Sequence, residues 1–176
     1  MRQIAVAVHS DYIPGLRERA RLFVHALADR CPDAVLLVGG YWGHMRDVVD
    51  SALERGMKVV IFLPIEKEGV QLPERVVVIK TGCEFRCRSV IMVRSADVVA
   101  VLGGGVGTMI EAFMAYAMGK PLYVLIDTGA SSDRLSQTYP EYFDDRRVLK
   151  VVYVSDPVAL AEGVCGAGPG VLTSFG

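Results

Sequence analysis

The amino-acid sequence predicts an α/β protein with a Rossmann-like, doubly wound sheet, mostly parallel, of about seven strands with helices on both faces. Three observations predict it. Short β-branched runs alternate with amphipathic segments along the chain, the central runs are continuous in Val, Ile and Leu, and two Gly-rich turns each join such a run to an amphipathic segment. The alternation is the pattern of βαβ units winding a parallel sheet. Continuous apolar strands belong where helices cover both sheet faces.

Strands are expected near residues 3–8, 34–38, 58–63, 75–79, 98–102, 121–126 and 150–154. Between them, Leu16 to Asp29 places Leu16, Ala20, Phe23, Val24 and Leu27 on one stripe. Met45 to Arg55 does the same with Met45, Val48, Val49, Ala52 and Leu53, and Gly56 supplies the stop. Arg86 to Asp97 reads as a helix leading into the strand at 98–102. Met109 to Met118 reads as another, ended by Gly119-Lys120-Pro121. Residues 127–147 are rich in Ser, Asp and Pro without clear period, which predicts a long loop holding at most one short helix. Residues 1–176 are expected to form one domain whose last stretch, 165–176, is a flexible tail.

Composition narrows the function classes. Nineteen basic and 20 acidic side chains are mixed along the chain for a net charge of −1, which gives no broad field for a polyanion, and no nucleic-acid partner is expected. No apolar run approaches the roughly 18 residues of a membrane span, so no membrane partner is expected. Met1-Arg2-Gln3 leads directly into Ile4-Ala5-Val6-Ala7-Val8 with no signal-peptide core, and the expected address is cytoplasmic. The absence of Asn, the three Gln and the excess of Arg over Lys point to a thermophilic source. The four cysteines, Cys31, Cys83, Cys87 and Cys165, lack a nearby His or Cys pair at ligand spacing, so no metal site is expected. Residues four apart on one helix seldom reach disulfide geometry. Any disulfide is therefore expected to involve Cys31 or Cys165 rather than Cys83 with Cys87, unless the start of that helix is irregular.

The strand Val98 to Leu102 runs into Gly103-Gly104-Gly105-Val106-Gly107-Thr108 and then a helix. Glycines let the backbone approach a ligand without Cβ interference, and the first N–H groups of the helix then point at an anion, so a phosphate fits there. A second turn, Gly39-Gly40-Tyr41-Trp42-Gly43-His44-Met45, could grip the same ligand from across a crevice. Tyr41 and Trp42 either stack on its ring or simply pack, and His44 reads as a hydrogen-bonded structural residue. Arg88, near the start of its helix, is a candidate phosphate or carboxylate clamp, with Arg86 also near the crevice. Thr108-x-x-Glu111 fits a capping box. Glu111 could equally bind ribose hydroxyls or stabilise positive charge at C1′.

These segments resemble the Lonely Guy phosphoribohydrolases and their relatives often mislabelled lysine decarboxylases. The family's P-G-G-x-G-T-x-x-E element recurs from Gly103 to Glu111, with Gly103 in place of proline. The spacing from Arg88 to Glu111 matches that of the family's catalytic arginine and glutamate, and G-G-x-x-G-x-M recurs from Gly39 to Met45. Ser89 stands where Lonely Guy enzymes carry Lys, and Ile110 where they carry an acid. Val93-Arg94-Ser95-Ala96-Asp97 before the triple glycine is closer to the molybdenum-cofactor carrier branch. The resemblance implies a homodimer or homotetramer binding a small phosphorylated ligand, without a further required cofactor. That ligand is a nucleoside monophosphate, phosphate or molybdopterin. It implies Arg88 and Glu111 as catalytic residues if the protein cleaves nucleoside 5′-monophosphates, and Gly39, Gly40, Gly43 and Gly103 to Thr108 as the ligand cradle. The alternative is a carrier or sensor that uses the same pocket without bond cleavage.

Overall fold

The apolar runs settle into a sheet whose order is set by where each connecting helix can pack. In a computed structural model, which describes residues 1–174, the strands are β1 (Gln3–Val8), β2 (Val35–Val38), β3 (Lys58–Leu63), β4 (Val77–Lys80), β5 (Val98–Gly103), β6 (Leu122–Leu125) and β7 (Val152–Val154). The helices are α1 (Leu16–Arg30), α2 (Gly43–Glu54), α3 (Phe85–Ser95), α4 (Val106–Ala117), α5 (Arg134–Thr138) and α6 (Pro157–Gly166). One sheet results, in the order β4-β3-β2-β1-β5-β6-β7. Every neighbouring pair is parallel, so each connection must cross over the sheet.

Alternation along the strands sorts the core into two layers. Ile4, Val6, Leu36, Val38, Ala100 and Leu102 meet Phe23 and Leu27 of α1, Val48 and Val49 of α2, and Leu160 and Val164 of α6. Ala5, Ala7, Leu37, Val99, Val101 and Val124 meet Met92 and Val93 of α3, Ala112, Ala115 and Tyr116 of α4, and Leu135 of α5. The chain lays down β1 to β4 in one direction, then returns with β5 on the other side of β1. Connections leaving β1 and β5 therefore diverge to opposite faces and leave a crevice beyond the carboxyl ends of these two strands.

The expected elements shift at their ends. Strands near 34–38, 75–79, 121–126 and 150–154 become 35–38, 77–80, 122–125 and 152–154, and α2 and α4 begin two and three residues earlier than expected. The long segment after β6 holds a short 3-10 turn, Ser131–Asp133, and α5. Helix α6 was not expected from periodicity. Its signal is its cap: Asp156 accepts from the Ala159 N–H at 2.9 Å and Pro157 opens the first turn. The supposed tail begins inside that helix. Arg2 donates to the carbonyls of Val164, Cys165 and Ala167 at its end, while the chain beyond docks beside α4, where the Val171 N–H donates to Gly119 O at 2.9 Å and Thr173 Oγ1 to Ala117 O at 2.7 Å. Residues 175–176 lie outside the described residues. Among the described residues, no helix is long and apolar enough to cross a membrane.

Both cysteine pairs are joined. Cys31 at the end of α1 meets Cys165 in the last turn of α6, with Cα atoms 5.9 Å apart. Cys83 is bonded to Cys87 with Cα atoms 5.7 Å apart, against the expectation drawn from a four-residue helical spacing. The reason is local. Cys83 precedes Glu84, the N-cap of α3, so only Cys87 is helical.

A crosslink stabilises most when it closes a long loop of the unfolded chain, and the two bonds span 134 and 4 residues. Replacing Cys31 and Cys165 together by Ser should lower the unfolding free energy by about 2–4 kcal/mol, and replacing Cys83 and Cys87 by clearly less. Chemical denaturation of the oxidised proteins reads both, and equal losses would contradict the loop argument.

Candidate functional site

The crevice is shaped by how β5 ends. Gly103 leaves the sheet at φ +122°, a conformation L side chains rarely adopt, with Thr128 packed over its Cα. Gly104 is then pinned by Ser132, whose Oγ accepts from the Gly104 N–H at 3.0 Å and whose N–H donates to Gly104 O at 2.9 Å. Gly105 becomes the N-cap of α4, and no side chain caps the helix there. The hydrogen bond from the Met109 N–H to Gly105 O, at 3.0 Å, starts the helical ladder. The N–H groups of Val106, Gly107 and Thr108 precede it and face the opening.

This start overturns the capping-box reading. Thr108 is the third helical residue, with its side chain against Gly104, and Glu111 belongs to the second turn. The tie between Gly104 and Ser132 fixes the turn and starts the helix at Val106, despite the low helix propensity of the glycines. Glu111 instead accepts from Ser89 Oγ at 2.7 Å, linking α4 to α3.

The resulting cleft has a volume of about 330 Å³. Of the residues singled out from the sequence, Gly39, Gly105, Val106, Gly107, Thr108, Arg88 and Glu111 line it. Gly40, Gly43, Gly103 and Gly104 do not, and they shape it from behind. A side chain at Gly40 would meet the Trp42 indole. Gly43, at φ +53°, lies against the Ser10 backbone, where no Cβ would fit. Gly39 carries a stricter requirement, because Arg88 Nη1 donates to its carbonyl and the guanidinium fills the space of any side chain.

Five lining residues escaped the sequence reading of the site: Val6, Val8, His9, Ser10 and Phe85. Their signal was position, since residues 8–10 close the apolar run of β1 at the switch point. His9 joins three elements: its N–H donates to Gly103 O at 3.0 Å, its carbonyl accepts from the His44 N–H at 3.1 Å, and its Nδ1 accepts from the Asp11 N–H at 3.4 Å. Nε2 is thereby left toward Gly105. Tyr41 and Trp42 part company. Tyr41 donates to Asp50 at 2.7 Å and packs into the core, whereas Trp42 lines the cleft edge-on to Phe85. His44 is structural as read, accepting from the Ile13 N–H at 2.8 Å and meeting Asp47 at 2.9 Å.

Electrostatically the cleft floor is a buried pair of opposite signs. Arg88 is 5% exposed and Glu111 8%. Burial pulls the Arg88 guanidinium below its ordinary value, partly offset by Glu111. Burial likewise pushes the Glu111 carboxyl up, opposed by Arg88 and by the Ser89 hydrogen bond. Above this floor Arg86 is exposed and reaches over Gly107. No cluster of three or more His, Cys, Asp or Glu among the described residues is placed to hold a metal ion.

Because the folded Glu111 pKa lies above its unfolded value, the folded chain holds that proton more tightly, and the native state loses stability as pH rises from the unfolded toward the folded pKa. Glu111→Gln keeps an acceptor for Ser89 and removes this titration. Its melting temperature relative to wild type should therefore rise between pH 4 and pH 8. Calorimetry across that range checks the sign, and a relative fall would mean that the Glu111 charge stabilises the fold.

Comparison with known proteins bears on the site. The model of the SLOG cluster4 family matches residues 3–161. The solved structure of TM1055 is 33% identical over 93% of this chain and 98% of its own, with a TM-score of 0.83. The molybdenum cofactor binding protein of the phototrophic bacterium Rippkaea orientalis is 27% identical over 92% and 93%, with a TM-score of 0.75. The Moco carrier protein of Chlamydomonas reinhardtii is 23% identical over 92% and 93%, with a TM-score of 0.70, which shows a shared fold. No curated protein matches the sequence. DNA processing protein A of Helicobacter pylori, described with a single-stranded DNA binding mode, shares the fold at 15% identity over 92% of this chain and 79% of its own, with a TM-score of 0.67. That finding corrects the exclusion of nucleic acid. A charge averaged over the chain does not decide what one local groove accepts, and this fold is compatible with such a partner.

Proposed function

The chain belongs to the SLOG cluster4 family, and from that premise we propose that it binds a phosphorylated nucleotide-like ligand, of the pterin-phosphate kind, without cleaving it. One observation carries the reading: the start of α4 opens uncapped into a cleft that two arginines share. Backbone N–H groups at a helix N-terminus and guanidinium groups both favour a phosphate. Trp42 and Phe85, which also line the cleft, offer apolar surface to a fused ring. The named function of the Rippkaea orientalis protein, molybdenum cofactor binding, supports a pterin ligand here. In that case the metal is part of the cargo, and the residues above hold only its organic and phosphate portions.

A second reading, hydrolysis of a nucleoside 5′-monophosphate, is favoured by Glu111 lining the cleft next to Arg88. Stabilising positive charge at C1′ requires an ionised carboxylate. The Glu111 carboxylate is buried and already tied to Ser89, and Ile110 occupies the place of the second acid. Binding without cleavage therefore accords better with the geometry.

Gly107 separates the site from the fold. Ala there should raise the stability of the ligand-free protein by up to about 1 kcal/mol, since Gly is the poorer helix former. The added methyl would meet the tip of Arg86 and stand among the free N–H groups. Thermal shift with phosphate, AMP and a pterin phosphate should show a large rise for wild type and a small one for Gly107→Ala. Equal shifts would place the anion elsewhere, and release of free base from AMP by wild type would support hydrolysis.

A further inference from the structure

The two arginines of the cleft do different work. Arg88 is buried and already donates to Gly39 O, joining α3 to the turn after β2. Arg86 is exposed, and its guanidinium has no ion-pair or hydrogen-bond partner among the described residues. It lies over the first turn of α4: a Cβ built on Gly107 would be 3.0 Å from Nη1 and 3.4 Å from Nη2. A cation and the positive end of a helix thus face each other with their donors unspent. The nearby Glu84 and Glu111 carboxylates offset part of that positive charge, and an anion seated between Arg86 and the helix start would engage the donors of both.

The segment that carries Arg86 is closed on itself. Cys83 and Cys87 are bonded across Glu84, Phe85 and Arg86, making a five-residue ring at the mouth of the cleft. Inside it the Glu84 carboxylate accepts from the N–H groups of Arg86 and Cys87 at 2.8 and 2.7 Å. Phe85, within the ring, packs edge-on to Trp42 in the cleft wall. On the outer side the Cys83 carbonyl accepts from the Ile65 N–H at 2.9 Å, so the ring is anchored to the loop after β3.

We propose that Arg86, rather than Arg88, is the residue that clamps the ligand's phosphate, and that the Cys83–Cys87 disulfide holds Arg86 over α4, so that anion affinity depends on the redox state of this ring. The inference rests on the phosphate reading above. A dithiol reductant opens the ring by ordinary exchange. One of its thiolates attacks a ring sulfur to give a mixed disulfide and frees one Cys thiolate, which takes up a proton. The second reductant thiol then displaces the other Cys, leaving two Cys thiols and a cyclic disulfide of the reductant. Two electrons pass to the protein. The segment then keeps its Glu84 cap, the Ile65 N–H bond to Cys83 O and the Phe85 contact with Trp42 but loses its covalent closure, and the guanidinium samples positions away from Gly107.

Calorimetric titration with AMP and with inorganic phosphate tests this on four oxidised proteins that keep the Cys31–Cys165 bond. They are wild type, Arg86→Gln, the Cys83→Ser/Cys87→Ser double variant, and the combination of all three changes. Loss of one charge-assisted contact should weaken AMP binding about tenfold in Arg86→Gln, with a similar or smaller loss in the double Ser variant. The triple variant should be no weaker than Arg86→Gln, because the disulfide acts through Arg86. Circular dichroism confirms that each variant is folded. If wild type binds and Arg86→Gln binds equally well, the clamp assignment is wrong while the phosphate reading survives. If only the double Ser variant binds like wild type, Arg86 is the clamp and the redox dependence is wrong. If wild type binds neither probe nor a pterin phosphate, the phosphate reading fails and this inference with it.

Discussion

Helix α4 starts with N–H groups for which the described residues supply no acceptor, and much of the surrounding structure serves to keep it so. The β1 and β5 strands lie side by side while their connections leave on opposite faces, which holds the space in front of that helix open. Gly103 turns the chain out of β5, and Ser132, from the segment after β6, fixes Gly104 through two backbone-directed hydrogen bonds. His9 binds the ends of β1 and β5 and the start of α2 together through its own backbone. A helix end left without a cap costs stability unless water or a ligand supplies the missing acceptors, so the expense makes physical sense where an anion docks.

Beneath that opening, Arg88 and Glu111 form a floor rather than a pair of free reagents. Each is almost completely buried, and each is committed to a neighbour, Arg88 to Gly39 O and Glu111 to Ser89. Burial acts on both in the same direction, toward the neutral form, while their mutual attraction opposes it. Such a pair fixes the relative positions of α3, α4 and the turn after β2. The groups left to meet a ligand are the ones above it: the α4 N–H donors, Arg86, His9 Nε2 and the Trp42 ring.

The strands and the site turn could be read from the sequence because β1, β3 and β5 are uninterrupted apolar runs and because glycines cluster at the end of β5. What escaped depended on contacts distant in sequence. Local capping logic puts the N-cap of α4 at Thr108, yet Ser132, 28 residues beyond Gly104, pins the turn from which the helix starts earlier. Helix α6 lacks a strong apolar stripe and so is not predicted by periodicity, although Asp156-Pro157 announces it. The disulfide of Cys83 was misjudged because one residue, Glu84, moves Cys83 out of the helix. His9 is a single residue after a strand, and only the sheet order makes its position significant.

The most direct measurement is a crystal structure of the oxidised protein grown with AMP. The account predicts that the phosphate sits within hydrogen-bond distance of the Gly107 and Thr108 N–H groups and of the Arg86 guanidinium, with the base against Trp42 and the glycosidic bond intact. A phosphate bound away from the start of α4, with those N–H groups still facing solvent, would contradict it.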